Sequence, residues 1–308
     1  MYPIPIIGLL LLLHGNNLKL NSRSLATFSQ ISVMFAYFLH LILLTYPVET
    51  GRDINLFSGN PIPFSFVILG LSIFCLIDWA DSTVYSKFIA AGCFLFGIYL
   101  SGYIAGVRSA TLSIILITPL TLFYIFKKTL HSVLSLISIA VICMLFAYMH
   151  TNGLMSNIYF DHIAKGLETL FKANGLESSV SLRQEIWLAS IKAVSNQPIF
   201  GYGVAERFNA LLPFLRSDFP YLFSHPHNDI VASLISGGFA GGFLAIGALI
   251  APVLAATLSN DVNSKKLFFG FIVSVPIFVC ASFNTVFFND INSAWLAFST
   301  YLIYNTKF

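Results

Sequence analysis

Apolar residues come in long runs along the chain, and short polar segments separate the runs. A helix that crosses a membrane needs about 20 predominantly apolar residues, and the runs predict roughly nine such helices. The pattern therefore predicts an all-α integral membrane protein. The predicted helices lie at residues 2–13, 25–46, 64–79, 86–104, 109–126, 131–150, 227–257, 266–284 and 291–305.

One long segment, residues 151–226, interrupts this series of helices. It separates N-terminal transmembrane helices with short loops, residues 1–150, from C-terminal transmembrane helices, residues 227–308. Within the segment, apolar residues recur at helical spacing over residues 161–173, which predicts a helix on the membrane surface.

A second helix is predicted further along the same segment. Ser181 is a plausible N-cap for it, and Pro198 with the glycines that follow would end it. A further short helix is predicted from about residue 203 to residue 212.

The composition supports the membrane prediction and excludes other classes. A soluble domain carries roughly 25% charged residues, whereas this chain has 9% charged and 57% hydrophobic residues. The net charge of +3 is small and no basic patch interleaved with aromatic residues is present, so we expect no nucleic-acid partner. The four cysteines all lie inside apolar runs, which is typical of small core residues rather than of disulfides or a metal cluster.

Basic residues in the short loops predict how the chain crosses the membrane. They occur in alternate loops, and the positive-inside rule makes those loops cytoplasmic. Residues 151–226 would then lie on the outer side, together with 47–63, 105–108 and 285–290. The basic residues that define the inner side are Lys19, Arg23, Lys127, Lys128, Lys265, Lys266 and Lys307.

Arginine, in contrast, recurs in the segments predicted to be outside. A guanidinium is a planar, permanently charged fork that can bind two phosphate oxygens at once, so these arginines are candidates for an anion site. Each also has a structural interpretation, since an arginine in a turn can reach the lipid headgroups and an arginine beside a glutamate can be a solvated helix residue. The candidates are Arg52, Arg108, Arg183 (near Glu185), Arg207 (beside Glu206) and Arg216.

The sequence "SHPHND", residues 224–229, places polar residues directly before a long apolar run. His227 could be a proton acceptor near neutral pH, or it could simply lie at the start of a helix that Asn228 or Asp229 caps. A third interpretation is a metal site with His225, His227 and Asp229 as ligands, although the spacing is not that of the usual zinc patterns.

Four segments together resemble a known family. "HNDIVASLISGGFAG" fits a pattern of His-Asn, nine residues and Gly-x-x-Gly, and "SLRQEIWLASIKAVSNQPIFGYG" fits Arg-x-x-x-Trp followed by Pro-x-x-Gly-x-Gly. "GRDINLFSGNPI" and "GVRSATLSI" resemble two further segments of the family, in the same order. The chain thus resembles the O-antigen ligase superfamily over about residues 47–305. The superfamily also holds polysaccharide polymerases and O-oligosaccharyltransferases. Its members usually have more helices, so we expect N-terminal helices to be missing here.

The resemblance implies a metal-independent, inverting membrane glycosyltransferase of the GT-C type in the bacterial inner membrane, with its active site on the periplasmic face and no cofactor. The donor would be a glycan on undecaprenyl diphosphate, and the acceptor would be lipid A-core or another glycan. The resemblance implies catalytic roles for His227, Arg183 and Arg207. It implies substrate-binding roles for Arg52, Arg108, Trp187 and Asn228.

Two alternatives to an O-antigen ligase stay open. A polymerase of the same superfamily would use the same donor with a second lipid-linked glycan as acceptor. A transporter of a lipid diphosphate would use the same arginines without breaking a bond. Internal repeats and helices broken at mid-membrane are typical of transporters. The sequence shows no repeat and its polar residues gather on one side, which favours the enzyme.

Overall fold

A computed structural model describes residues 20–44, 61–105, 107–126, 179–219, 226–287 and 289–308. Its α-helices are α1 (Ser22–Leu44), α2 (Pro61–Phe74), α3 (Val84–Ile98), α4 (Arg108–Phe126), α5 (Ser179–Asn196), α6 (Asp229–Leu249), α7 (Ala251–Leu258), α8 (Ser264–Phe283) and α9 (Asp290–Asn305). A π-helical turn, Tyr99–Ile104, extends α3, and a 3₁₀ helix covers Asn209–Phe214. Two short strands, β1 (Leu20–Asn21) and β2 (Thr306–Lys307), pair in parallel.

The prediction of a multi-pass helical membrane protein is confirmed. Within the described residues, five helices are long and apolar enough to cross a membrane: Ser22–Leu41, Val84–Gly102, Ser109–Phe126, Asp229–Leu249 and Ser264–Phe283. Helix α2 is apolar but shorter. The predicted helices at 2–13, 131–150 and 161–173 lie outside the described residues, so the predicted number of nine stays a prediction.

Several helix boundaries differ from those predicted from hydropathy. The single helix predicted at 227–257 is in fact α6 and α7, which meet at Ile250 because Pro252 lies in the first turn of α7. Helix α6 is itself interrupted at Gly238, whose φ and ψ are 60° and −154°. The short helix predicted at 203–212 is a turn followed by a 3₁₀ helix that contains Pro213. Hydropathy marks apolar stretches but not the backbone breaks inside them.

The chain forms two compact units. Unit 1 comprises Met1–Tyr148, Ile250–Cys280 and Phe288–Phe308, and unit 2 comprises Met149–Leu249 and Ala281–Phe287.

Close aromatic packing holds the helices of unit 1 together. The rings of Tyr37 on α1 and Phe96 on α3 stack with centroids 4.4 Å apart. The indole of Trp295 on α9 lies so close to α2 that a Cβ at Gly70 would be 2.2 Å from its ring. A glycine is therefore required where α9 crosses α2.

Polar contacts join several of the segments predicted to be cytoplasmic. Strand β1 pairs with β2, the hydroxyl of Ser22 donates to the Asp78 carboxylate at 3.2 Å, and the Lys265 ammonium lies 3.4 Å from Asp81. Lys266 is fully buried, where it pairs with Asp261 and donates to the carbonyl oxygen of Tyr304 at 3.1 Å. These segments thus lie together in unit 1, which agrees with their predicted common side. That this side is cytoplasmic stays a prediction.

Unit 2 has its own hydrophobic core. Helix α5 contributes one apolar face, and this face packs on the 3₁₀ helix and on the first part of α6. Full burial of a side chain such as Ile186 contributes about 1.5–3 kcal/mol. The core residues are Leu182, Ile186, Ala189, Ala193, Leu211, Phe219 and Ile235, and the four on α5 recur at helical spacing. The core fixes α5 against α6. Helix α5 carries Arg183 and Trp187, and His227 and Asn228 precede α6.

Candidate functional site

The loop that follows α5 docks by its backbone onto the break in α6. The amides of Tyr202 and Gly203 donate to the carbonyl oxygens of Ile235 and Ser236, at 2.8 and 2.9 Å. In the reverse direction, the amide of Phe239 donates to the carbonyl oxygen of Pro198 at 2.7 Å. A helix broken in an apolar environment must find new partners for its freed backbone groups, and this loop supplies them.

Glycines make this contact possible on both sides. Gly201 has a φ of 62°, and a Cβ there would lie 2.4 Å from the carbonyl oxygen of Ile235. Gly238 has a φ of 60°, and a Cβ there would lie 2.3 Å from the carbonyl oxygen of Ile199. The left-handed region favours glycine, and the distances leave no room for a side chain. Glycines of the Pro-x-x-Gly-x-Gly and Gly-x-x-Gly patterns therefore serve one contact.

A fold within α6 brings its two segments together at the break. A Cβ at Gly241 would lie 2.4 Å from the carbonyl oxygen of Ser233, eight residues earlier. Residues eight apart are separated by about 12 Å along a straight helix. The break at Gly238 thus turns the second segment of α6 against the first.

His227 lies two residues before α6 begins, in an uncommon backbone conformation. Its φ is 52°, the one positive φ among the described residues other than glycine. The next residue, Asn228, caps α6, because its side-chain oxygen accepts a hydrogen bond of 3.0 Å from the amide of Val231. The Asn228 amide group also donates to the carbonyl oxygen of Ser282 at 3.0 Å. Of the two residues predicted as caps, Asn228 and Asp229, it is thus Asn228 whose side chain caps α6.

Trp187 binds Pro226, the residue directly before His227. Its indole N–H donates a hydrogen bond of 3.0 Å to the carbonyl oxygen of Pro226. Its ring lies near Phe283, with centroids 6.3 Å apart. The contacts of Trp187 and Asn228 are therefore structural ones around His227. Their predicted roles in substrate binding stay predictions.

Asp229 lies in the first turn of α6. The sequence indicated it only as a possible helix cap or metal ligand, but the structure makes it a functional candidate. Its side chain is fully buried. One carboxylate oxygen, Oδ2, accepts hydrogen bonds from the amides of Phe287, at 3.0 Å, and Val286. The available signal was its position, a carboxylate one residue inside a membrane-length apolar helix, where ionisable residues are usually functional.

Arg207 lies within the electrostatic influence of this buried carboxylate. Burial lowers the pKa of the Arg207 guanidinium from its ordinary value, and the negative charge of Asp229 raises it in part. Burial disfavours a charged group, whereas a nearby opposite charge favours it. Arg207 and the start of α6 both belong to unit 2, and the charge of Asp229 acts on the Arg207 guanidinium.

Arg183 lies on α5, one helical turn before Trp187, so the two residues share a face of the helix. The neighbouring Glu185 accepts a hydrogen bond of 3.1 Å from the amide of Arg216 and lies 3.5 Å from its guanidinium. Glu206, beside Arg207, accepts a hydrogen bond of 2.9 Å from Asn209. Both glutamates therefore have partners other than the arginines beside them in sequence.

The remaining candidates lie elsewhere. Arg108 is the first residue of α4, in unit 1. Arg52 and His225 lie outside the described residues. Within those residues, no group of three or more His, Cys, Asp or Glu side chains is arranged to hold a metal ion. The alternative interpretation of His225, His227 and Asp229 as metal ligands includes His225, so it stays open.

An open apolar cleft of about 400 Å³ lies in unit 2 at the break in α6. Residues from both segments of α6 line it, and so do Val204 and Phe287. Phe287 is one of the two residues whose amides bind Asp229. Phe287 therefore lines the cleft and, through its amide, binds Asp229 at the start of α6. Among its lining residues are Val204, Ser233, Ser236, Gly241, Leu244 and Phe287.

A family model described as O-antigen ligase matches residues 90–246, which is half of the chain. The matched range includes α5, the loop that docks on α6, His227 and the break at Gly238. No curated protein matches the chain.

Proposed function

Because the chain belongs to the O-antigen ligase family, we propose that it is a membrane glycosyltransferase that transfers a glycan from undecaprenyl diphosphate to a sugar hydroxyl. One observation carries the proposal: the loop at 198–203 and α6 contact each other through their backbones. The contact lies in unit 2, the unit that also contains Arg183, Arg207, His227 and an apolar cleft.

The reaction replaces one bond at the anomeric carbon. The oxygen of the acceptor hydroxyl forms a bond to that carbon, and the bond from the carbon to the diphosphate oxygen breaks. The diphosphate leaves with the electron pair and gains negative charge in the transition state. Charges positioned in advance where negative charge develops are usually the largest contribution to catalysis. Arg183 and Arg207 would supply them, and Arg52 and Arg108 would help to bind the donor.

His227 would accept the proton of the attacking hydroxyl. An imidazole is suited to proton exchange near neutral pH, and general base catalysis contributes roughly 10²–10⁴-fold. The bonds of Trp187 to Pro226 and of Asn228 to Ser282 fix the residues on both sides of His227. The N-terminus of α6 also adds a positive partial charge that favours an anionic ligand. A base opposite the leaving group would invert the anomeric centre.

The apolar cleft would receive the lipid chain of the donor. It is lined mainly by aliphatic and small side chains and by Phe287. A ligand with a charged diphosphate and a long apolar chain needs a charged site next to an apolar one. The cleft supports the proposal because Phe287 lines it and also, through its amide, binds the charged residue Asp229.

A reconstituted assay tests the proposal. Purified protein in lipid would receive a labelled glycan on undecaprenyl diphosphate, with either lipid A-core or a second lipid-linked glycan as acceptor. Transfer to lipid A-core would identify a ligase, which is our first proposal, and a longer lipid-linked glycan would identify a polymerase. Absence of product with both acceptors would contradict the proposal. Transfer should also persist in EDTA, because arginines would take the place of a metal. Loss in EDTA with rescue by a divalent ion would instead support the metal site.

The break in α6 supports a second candidate, a transporter of lipid diphosphates. Discontinuous helices whose ends face the ligand are typical of secondary transporters. Such a protein would move a lipid-linked glycan across a vesicle membrane without cleaving it. Measuring both translocation and cleavage of the same labelled donor separates the two functions.

A further inference from the structure

Large apolar side chains are exposed on unit 2 along α5 and the loop that follows it. The ring of Phe200, for example, is 85% exposed. Single exposed apolar residues are ordinary, whereas several at neighbouring positions mark a surface that binds a protein or a membrane. The exposed apolar residues between positions 188 and 204 are Leu188, Ile191, Ile199, Phe200 and Val204. These five residues and the exposed Lys192 are called the 188–204 surface.

Helix α5 is apolar on two opposite faces. One face packs into the core of unit 2. Leu188, Ile191 and Lys192 lie three and four positions apart, so they share the other face. A helix that is apolar on both sides needs a second apolar environment besides the core.

The charge of this surface fits a lipid headgroup. Lys192 is the one charged residue between positions 188 and 204. A lysine can lay its methylene chain along apolar groups while its ammonium stays at the polar boundary. Lysine on the polar side of an interfacial segment also favours binding to anionic lipids.

Backbone contacts hold the loop of this surface against a membrane helix. Helix α6 is long and apolar enough to cross a membrane. The amide of Phe239 on this helix donates to the carbonyl oxygen of Pro198, directly before Ile199 and Phe200. Phe239 and Phe243, one helical turn apart on α6, are 64% and 77% exposed, as expected of side chains that face lipid. The exposed loop residues therefore adjoin the lipid-facing part of α6.

We propose that the 188–204 surface binds the lipid bilayer: its apolar side chains insert among the acyl chains, and the ammonium of Lys192 binds headgroup phosphates. The bilayer is favoured over a protein partner because the surface adjoins the exposed side chains of a membrane helix. Part of the segment 151–226 thus lies in the bilayer surface. Val204 and Leu244 are exposed and also line the apolar cleft, so the cleft opens toward the acyl chains.

Quenching of a fluorophore by labelled lipids tests this placement. The whole chain, with its four native cysteines replaced, would carry an environment-sensitive fluorophore on Phe200→Cys or Ile191→Cys. It would be reconstituted in vesicles of phosphatidylethanolamine and phosphatidylglycerol that contain nitroxide lipids. Both labels should emit at shorter wavelengths than in water and lose fluorescence to the nitroxide. A nitroxide near the headgroups should quench more than one near the chain end, since interfacial segments insert by about 5–10 Å.

Two positions in the same unit serve as controls. Asp218→Cys is the negative control, because Asp218 is an exposed carboxylate. Phe243→Cys, on α6, is the positive control. Quenching at Phe200 and Ile191 no stronger than at Asp218 would overturn the proposal. Emission at shorter wavelengths without quenching by lipid would also overturn it, because a second copy or another protein would then cover the surface. None of these measurements needs glycan transfer, so their result is independent of the proposed function.

Discussion

The indole N–H of Trp187 donates a hydrogen bond of 3.0 Å to the carbonyl oxygen of Pro226, the residue directly before His227. Trp187 lies on α5 and Pro226 precedes α6, so this bond joins two residues that are 39 positions apart in sequence. Trp187, which belongs to a different motif, thus fixes the residue directly before the proposed base, His227.

Loss of this bond should affect turnover more than stability. Trp187→Phe keeps an aromatic ring near Phe283 but removes the donor, which should cost about 1 kcal/mol of stability and lower kcat. Tyr202→Phe is the matched control, because it removes a hydrogen bond of 3.1 Å to the carbonyl oxygen of Ala193 in the same unit. Both variants should lower Tm by similar amounts, and only Trp187→Phe should lower kcat. Equal kcat values would separate Trp187 from the positioning of His227.

The break in α6 should depend on Gly238 and not on the glycine beside it. Gly238→Ala places a Cβ against the carbonyl oxygen of Ile199 and forces a residue with a side chain to a φ of 60°. Strain of this kind costs of order 1–3 kcal/mol before the clash is added. Gly237→Ala is the control, since a Cβ there meets no atom within 4 Å. The readout is Tm and the yield of folded protein; a Gly237→Ala variant less stable than Gly238→Ala would contradict this account of the break.

The proposed arginine clamp should require the guanidinium fork and not only its charge. Arg183→Lys and Arg207→Lys keep a positive charge but lose bidentate binding, so each should strongly impair transfer. Arg108→Lys tests the residue at the start of α4 in the same way. Arg216→Lys is the comparison, because Arg216 already pairs with Glu185 and Asp218, and it should be milder. Full transfer by all three lysine variants of the proposed clamp would remove the arginines from the mechanism.

His227 should be the base, and His225 should not. His227→Ala should lower transfer roughly 10²–10⁴-fold, while membrane insertion and most of the donor binding persist. His225→Ala should lose much less, because His225 lies outside the His-Asn pattern. The measurement is the transfer rate from a purified lipid-linked donor, with insertion checked in parallel. A normal rate for His227→Ala, or a deeper loss for His225→Ala, would leave His227 with a structural role only.

The predicted orientation can be tested by thiol labelling in intact cells, after replacement of Cys75, Cys93, Cys143 and Cys280. A cysteine at Asn174, in the segment predicted to be outside, should react with an impermeant reagent. For the inner side, Asn260 is a better position than Asn263, because Asn260 is exposed, whereas the Asn263 side chain accepts a hydrogen bond of 2.9 Å from the amide of Lys266. Labelling of Asn260→Cys but not of Asn174→Cys would reverse the predicted topology.

The sequence alone determined that the chain is a helical membrane protein, and it indicated the family. Both depend on local information: the length of an apolar run decides whether a helix can cross a membrane, and the patterns around Arg183 and His227 are each contiguous in sequence. The preference for Asn228 as a helix cap was also accessible, since capping depends on residue type and a spacing of three residues.

The tertiary structure decided where the helix breaks and which charges meet. Nothing local distinguishes Gly238 from Gly237, because the left-handed backbone is stabilised by hydrogen bonds to a loop some 40 residues earlier in the chain. Glu185 pairs with Arg216, a residue that is distant from it in sequence. Asp229 became a candidate for the same reason, since its burial and its influence on Arg207 arise only when distant segments pack together. Hydropathy and motif spacing describe a residue by its neighbours in sequence, whereas desolvation and Coulomb interactions depend on its neighbours in space.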